Sequence, residues 1–298
     1  MTVAATATLL QQVFPGAPRI ARPDYLHWLY EQSPLGPVIE ANLDDDQGRA
    51  AHYALVPLPL TLDGTPLSGA LSMNTAVHER ARGGGVFVRM AKQAFELARE
   101  RDVAVIVGVA NANSTPGFLR RLRFELVTPL PATVLLPMPG GRRGVHSGWA
   151  AEAPELASDA GELLAAPAHG IATIWTPERL SWRLAAPGAR YALHRSSRAL
   201  AVSTLARRHG IPVAVLTAVF AASSLDAVGT RALVRAACRF HRAPAALHVG
   251  LNDRLALQGI ALPRRLRESP LNLIYRDLRG IARSSDVARF ELLDFDAY

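Results

Sequence analysis

The chain has 298 residues, 49% of them hydrophobic and 19% charged, with a formal net charge of +8. That length allows two cores of ordinary size, and that composition excludes intrinsic disorder. The positive balance rests on 32 arginines and one lysine, Lys92; they are spread without an aromatic-interleaved basic motif, which argues against a specific nucleic-acid partner.

Residues 23–30, Pro-Asp-Tyr-Leu-His-Trp-Leu-Tyr, put Trp28 in an apolar setting that reads as core packing. Asp44, Asp45 and Asp46 form an acidic turn, with attraction of a cationic acceptor as the alternative reading. His52 opens the apolar run 53–56, where an edge or core-side histidine is the plain reading and a base the sharper one. Residues 67–77 suit a largely buried strand that Asn74 and Thr75 interrupt. The stretch Arg80-Ala81-Arg82-Gly83-Gly84-Gly85 follows. Beyond it Phe87, Met90, Ala91, Ala94 and Ala98 recur at spacings of three and four, which predicts a helix from Val86 to about Ala98.

The order is therefore strand, glycine turn, helix. Three glycines admit backbone angles closed to other residues, and the first free N–H groups of the helix face the same space. A phosphate-bearing ligand suits that space, with Arg80 and Arg82 at its edge; a flexible, wetted turn is the plain alternative. Neither the phosphate loop of nucleotide hydrolases nor the Gly-x-Gly-x-x-Gly dinucleotide fingerprint is present. Another strand is predicted at 103–109, before the polar break Asn111-Ala112-Asn113-Ser114.

Residues 137–148, rich in proline and glycine and carrying Arg142-Arg143, read as a connection. A helix is predicted at 155–166, a strand at 213–220 and a helix at 227–240 in which Leu233, Val234, Ala237 and Cys238 share a buried side. The tail 290–296 alternates too poorly to establish a strand, with a further terminal strand as the open alternative. The second half repeats the first faintly: Trp182 sits in a pattern like that around Trp28, residues 217–219 resemble 75–77, and 250–252 resemble 109–111. The shared order favours tandem units, cut near Gly144 into 1–144 and 145–298.

Arg80, Gly83 and Gly85 fit the Arg/Gln-x-x-Gly-x-Gly/Ala pattern, and with Val77-His78, the helix from Val86, the strand at 103–109, Gly117-Phe118 and Leu122-Arg123-Phe124 the chain resembles the GNAT acyltransferases, the acetyl-CoA-dependent N-acetyltransferase superfamily. The resemblance is firmest over residues 50–130. It implies an α/β protein of two tandem GNAT-like domains, each a mixed, mostly antiparallel sheet flanked by helices. It also implies acetyl-CoA or another acyl-CoA as cosubstrate. The amides of Gly83, Gly84, Gly85 and Val86 would hold the pyrophosphate, while strand edges near 74–77 and 107–111 would splay to admit the pantetheine arm beside Asn111 or Asn113. At the family's thiolate-protonating tyrosine this chain has Phe118 and Leu119. The second unit has Leu225-Asp226-Ala227 in place of the glycines, so one competent and one degenerate cofactor site are expected.

The chemistry implied is acyl transfer to a small-molecule or peptidyl amine by direct attack in a ternary complex, with a non-catalytic CoA-binding or assembly protein of the same fold as the alternative. A backbone N–H near Val77 would meet the carbonyl oxygen, and water, Glu40, His52 or His78 would accept the amine proton. The second unit is left to shape the acceptor pocket, support the first or mediate self-association. One cysteine, Cys238, precludes an intrachain disulfide framework. With no basic leader and no run near 18 apolar residues, a soluble cytoplasmic protein without a membrane partner is expected. The remaining histidines lack metal-ligand spacing, so no metal is expected; His248, within an apolar run, stands out among them.

Overall fold

The computed structural model describes residues 3–139, 144–158, 160–267, 269–281 and 287–296. The first half of the chain runs α1 (Val3–Val13), α2 (Pro23–Tyr30), β1 (Ile39–Asp45), β2 (Gly48–Pro57), β3 (Leu60–Leu62), β4 (Thr65–Leu67), β5 (Gly69–Val77), α3 (Val86–Glu100), β6 (Val105–Ala110), α4 (Thr115–Leu122), β7 (Glu125–Pro129) and β8 (Ala132–Leu135). The second runs β9 (His146–Trp149), α5 (Glu155–Ser158), β10 (Ile171–Thr173), α6 (Pro177–Leu184), β11 (Ala192–Arg195), β12 (Ala199–Arg208), β13 (Ile211–Ala221), α7 (Ala227–His241), β14 (Ala246–Asn252), β15 (Ile260–Ala261), β16 (Asn272–Asp277) and β17 (Val287–Glu291).

These strands build two mixed α/β sheets flanked by helices. The first has the order β1-β2-β5-β6-β16-β7, antiparallel except where β5 meets β6. Period-two alternation divides β2 between its faces. Ala51, Tyr53 and Leu55 join the core under α3 and α4, while Ala54 and Val56 join the core with α1 and α2. In β5 the alternation slips, because Asn74 and Thr75 stand against the single residue Tyr53: the ladder pairs His52 with Ala76 but Ala54 with Met73. That extra residue is a β-bulge, and it turns Ala76 to the α1–α2 face and Val77 to the α3 face. The interruption seen in the sequence at Asn74 and Thr75 is thus a change of face within one strand.

The second sheet has eleven strands, ordered β4-β3-β10-β17-β14-β13-β12-β11-β9, with β8 pairing β14 and β15. The two halves exchange strands. β3, β4 and β8 of the first half lie in the second sheet, while β16 of the second half lies between β6 and β7 of the first. A division at 144 is thus crossed in both directions by hydrogen-bonded strands. The echoing tryptophans meet as well: Trp28 and Trp182 stack at 4.3 Å and 16°, with the Arg183 guanidinium over both rings. Asp296 closes the same junction by pairing with Arg19 at 2.9 Å and Arg183 at 3.1 Å.

Two expected elements differ in extent. The helix expected at 155–166 ends at Ser158, and Gly161 beyond it disfavours a helix by about 1 kcal/mol relative to alanine. The connection expected at 137–148 becomes strand β9 from His146, while its Arg142-Arg143 pair lies outside the described residues. The tail 290–296, left open between strand and loop, completes β17 up to Glu291 and then makes a 3-10 turn over Leu292–Asp294.

Gly250 reports on the close approach of β14 and β17. Its φ is +139°, and an added Cβ would lie 2.5 Å from the Phe290 carbonyl oxygen and 2.8 Å from Glu291 Cα. Gly250→Ala is expected to destabilise the protein by about 1–3 kcal/mol or more. Gly210→Ala, at φ +80° with open space around it, should cost only the backbone strain of about 1–2 kcal/mol. Urea midpoints of the two variants check that order.

Candidate functional site

The glycine turn joins β5 to α3. Gly83, Gly84 and Gly85 have φ of +97°, +53° and +72°, and nothing lies within 4 Å of the position a Cβ would take at any of them. Side chains are therefore excluded by backbone conformation, which leaves the turn's amides uncovered. Gly85 caps α3 without a side-chain hydrogen bond. The first helical bond runs from Arg89 N to the Gly85 carbonyl, so the N–H groups of Phe87 and Val88 precede the ladder and point out of the helix end. Such an end attracts an anion through its free donors and its dipole.

The two arginines of the turn do different things. Arg80 fastens the turn to the β1–β2 hairpin, donating to Asp45 at 2.8 and 3.1 Å and to the carbonyls of Gly48 and Arg49. The Arg80 hydrogen bond holds the Asp45 carboxyl below its usual range, and Arg49 does the same for Asp44. Two of the three turn aspartates are thereby neutralised within the fold. Arg82 is exposed beside the glycines and is free to approach a ligand.

Behind the turn the sheet opens. β5 and β6 pair in parallel only from Gly69–Val105 to Ser72–Gly108, and both strands continue past that point. From Met73 onward the edge of β5 that faced β6 has no strand partner among the described residues, so its polar groups border a wedge between the two strands. The bulge at Asn74 and Thr75 lies on this edge. At the far lip Asn111 makes a polar turn with Ser114: its Oδ1 accepts from Ser114 N at 2.9 Å, and its carbonyl accepts from Thr115 Oγ1 at 2.7 Å. Asn113 is exposed in the same turn. Phe118 packs edge-on against Phe87 and Phe124 in the core, whereas Leu119 is half-buried.

The candidate proton acceptors are placed unequally. His78 caps a short turn, its Nδ1 accepting from Arg80 N at 3.3 Å. His52 is fully buried, with Nε2 3.0 Å from the Tyr30 hydroxyl and Nδ1 2.7 Å from Asn42 Oδ1. Burial, helped by Arg49, pulls its pKa down to about 3, so the imidazole is neutral near neutral pH. Glu40 Oε2 lies 3.6 Å from His52 Nδ1 and has no hydrogen-bond partner among the described residues; burial raises the pKa of this carboxyl, against a hydrogen bond from the Asn42 side chain that lowers it. Tyr30 links the group to the wedge by accepting from Asn74 Nδ2 at 3.0 Å. Reasoning from sequence missed Tyr30 and Asn42, since a tyrosine in an apolar helix and an asparagine in a strand carry no signal of their own.

The second sheet repeats the opening and closes it. β13 and β14 pair in parallel only from Ala214–Ala246 to Leu216–His248, and β17 then takes the place beside β14 over residues 289–291. Its Glu291 carboxylate accepts from Val219 N at 3.2 Å, from Asn252 Nδ2 at 3.0 Å and from His248 Nε2 at 2.8 Å. Val219 and Asn252 are the echoes of Val77 and Asn111, and here a carboxylate of the chain itself joins them. The start of α7 is filled likewise, because Asp226 Oδ1 accepts from Gly229 N at 2.8 Å. Among the described residues no group of three or more His, Cys, Asp or Glu is placed to hold a metal, and no helix is long and apolar enough to cross a membrane.

Residues 5–127 match the family model described as an acetyltransferase (GNAT) domain. No curated protein matches the sequence. Among solved structures the chain is similar to an Enterococcus faecalis protein described as a probable N-acyltransferase, with TM-score 0.64 at 14% identity over 93% of this chain and 71% of that one. It is also similar to a GCN5-related N-acetyltransferase from Anabaena variabilis, with TM-score 0.64 at 12% identity over 91% and 69%. Saccharomyces cerevisiae N-myristoyltransferase with bound myristoyl-CoA and inhibitors gives TM-score 0.58 at 10% identity over 97% and 83%. At these identities the likeness is one of fold.

The buried neutral His52 has a measurable consequence. Its folded pKa of about 3 lies below the ordinary 6.5, so the unfolded chain binds the proton first as pH falls, and stability drops from about pH 6.5 towards 3. The His52 ring resonances are expected to stay unchanged between pH 5 and 8 by NMR. His52→Gln should flatten part of the acid limb of the stability curve.

Proposed function

We propose that this chain, whose residues 5–127 match the GNAT acetyltransferase domain model, transfers an acyl group, acetyl by preference, from CoA to the amine of a small molecule or peptide. The observation that carries this is the uncapped, side-chain-free helix start at Gly83, Gly84 and Gly85, set at the mouth of the wedge between β5 and β6. In this reading the amides of 83–85, 87 and 88 hold the CoA pyrophosphate, whereas the Val86 N–H, expected from the sequence to join them, is given to the Gly83 carbonyl at 3.2 Å; Arg82 stands beside the ligand, and Arg80 acts from behind by bracing the turn. Asn113 is the better placed of the two asparagines to reach the pantetheine arm, since Asn111 is engaged in its own turn.

The amine attacks the thioester directly in a ternary complex. Donors on the unpaired edge of β5 near Val77 stabilise the oxygen as charge develops there. His52 has both ring nitrogens engaged and His78 serves as a turn cap, so the reading assigns the amine proton to water, with Glu40 as the remaining carboxylate of the group. The thiolate takes its proton from solvent, because Phe118 is core and Leu119 has no proton to give. Those same two residues favour the second reading, a CoA-binding protein without turnover. A buried Cys238, its thiol pushed up to about 11 by burial, suits a reducing cytoplasm.

Gly83→Val and Gly85→Val are expected to weaken CoA binding tenfold or more, because valine is strained at positive φ and covers the amides. Asp226→Asn in α7 should leave CoA affinity unchanged, with one CoA bound per chain. Calorimetry on folded variants decides the site, and unchanged affinity in both glycine variants rejects it. Acetyl-CoA turnover against a broad amine panel decides the activity; CoA binding without turnover on any amine favours the second reading.

A further inference from the structure

Four polar side chains from four elements meet beneath the bulge: Tyr30 of α2, Asn42 of β1, His52 of β2 and Asn74 of β5. Their hydrogen bonds have a single consistent direction. Asn74 Nδ2 donates to the Tyr30 oxygen at 3.0 Å, which leaves the one Tyr30 hydrogen for His52 Nε2, also at 3.0 Å. With Nε2 accepting, the His52 hydrogen sits on Nδ1 and points at Asn42 Oδ1, 2.7 Å away. A neutral imidazole in one tautomer meets all of these demands.

Asn74 holds an unusual backbone. Its φ is +51°, a left-handed conformation that asparagine tolerates better than most residues but does not adopt unaided within a strand. Packing alone does not require the network, since the neighbours on this face are Ala54, Val56 and Ala76 and a buried polar group is costly unless it is paired. What the network can supply is a fixed direction for the backbone at the bulge, the point where β5 has lost β6 and its edge faces the wedge.

We propose that Tyr30 and His52 are positioning residues: through Asn74 they lock the bulge so that the unpaired amides of β5 point at the acyl carbonyl in the wedge. This rests on the acyl-CoA reading of that wedge. Tyr30 and His52 touch no substrate, and their effect is transmitted by the Asn74 backbone. Without the tether the edge relaxes, and the carbonyl loses donors while the pyrophosphate turn, held separately by Arg80, stays intact.

Acetyl-CoA labelled with carbon-13 at the thioester carbonyl provides a probe that needs no acceptor. Bound to the native chain, its carbonyl stretch in infrared difference spectra is expected at lower frequency than in solution. Tyr30→Phe keeps the ring and removes the hydroxyl. It should leave CoA affinity within about twofold, as turn binding is unaffected, and return the band most of the way to its solution position. Asn74→Gly accepts φ +51° without strain and removes the tether by another route, so it should give the same return even if Tyr30→Phe folds poorly. A band that stays shifted in both variants overturns the proposal, as does an unshifted band in the native complex. Failure of the native chain to bind acetyl-CoA overturns the acyl-CoA reading and this inference with it.

Discussion

Two parallel strands that part after Ser72 and Gly108 impose the condition on which the rest of the structure depends. A strand edge deprived of its neighbour leaves backbone donors and acceptors that must find partners. The chain meets that condition twice and answers it differently. Between β13 and β14 the gap is closed by β17 and by the Glu291 carboxylate, and nothing further is needed. Between β5 and β6 the edge is left open, bent by a bulge and bordered by three bare glycines. The contrast within one chain is between an edge that the chain's own residues fill and one that they leave open.

The exchange of strands gives the second half a direct part in the first half's opening. β16 lies against β6 on the side away from β5, pairing Asn272 with Ala110 through to Asp277 with Val105. The Asn272 amide also donates to Thr115 Oγ1 at 2.8 Å, at the start of α4. One wall of the wedge is therefore held in place by a strand from beyond residue 270. The stacked Trp28 and Trp182 and the Asp296 pairs join the two halves as well. The second half thus contributes a strand to the sheet of the first.

Much of this was legible in the sequence where one residue type has one physical use. Consecutive glycines before an amphipathic helix mark positive φ and an open turn, and the periodicities at 86–98 and 227–240 located α3 and α7. The echo between halves was read from a few letters, and its Trp28 and Trp182 turn out to touch. Long-range pairing was not legible. Nothing in residues 272–277 announces that they belong to the first sheet, because a buried strand reads the same wherever it inserts. Asn74 was visible as an interruption, yet its meaning depended on the register of β2. Arg80 was expected at a ligand because arginine suits phosphate, and the hairpin carboxylate of Asp45 takes it instead; charge alone does not say which anion is nearer.

The two helix starts express the same difference in electrostatic terms. α7 begins with Asp226, whose carboxylate both caps a free N–H and sits at the positive end of the helix dipole, an arrangement that stabilises a helix by about 1 kcal/mol. α3 begins with Gly85, which offers no side-chain acceptor. The stabilisation realised by Asp226 in one unit is left available in the other. An anion brought to the N–H groups of Gly83–Gly85, Phe87 and Val88 would take up those donors in the way that Asp226 takes up its own, so three glycines in place of Leu-Asp-Ala leave a contribution unrealised within the fold. The two features coincide: the helix start without a side-chain acceptor follows the same strand, β5, whose edge stands open beside β6.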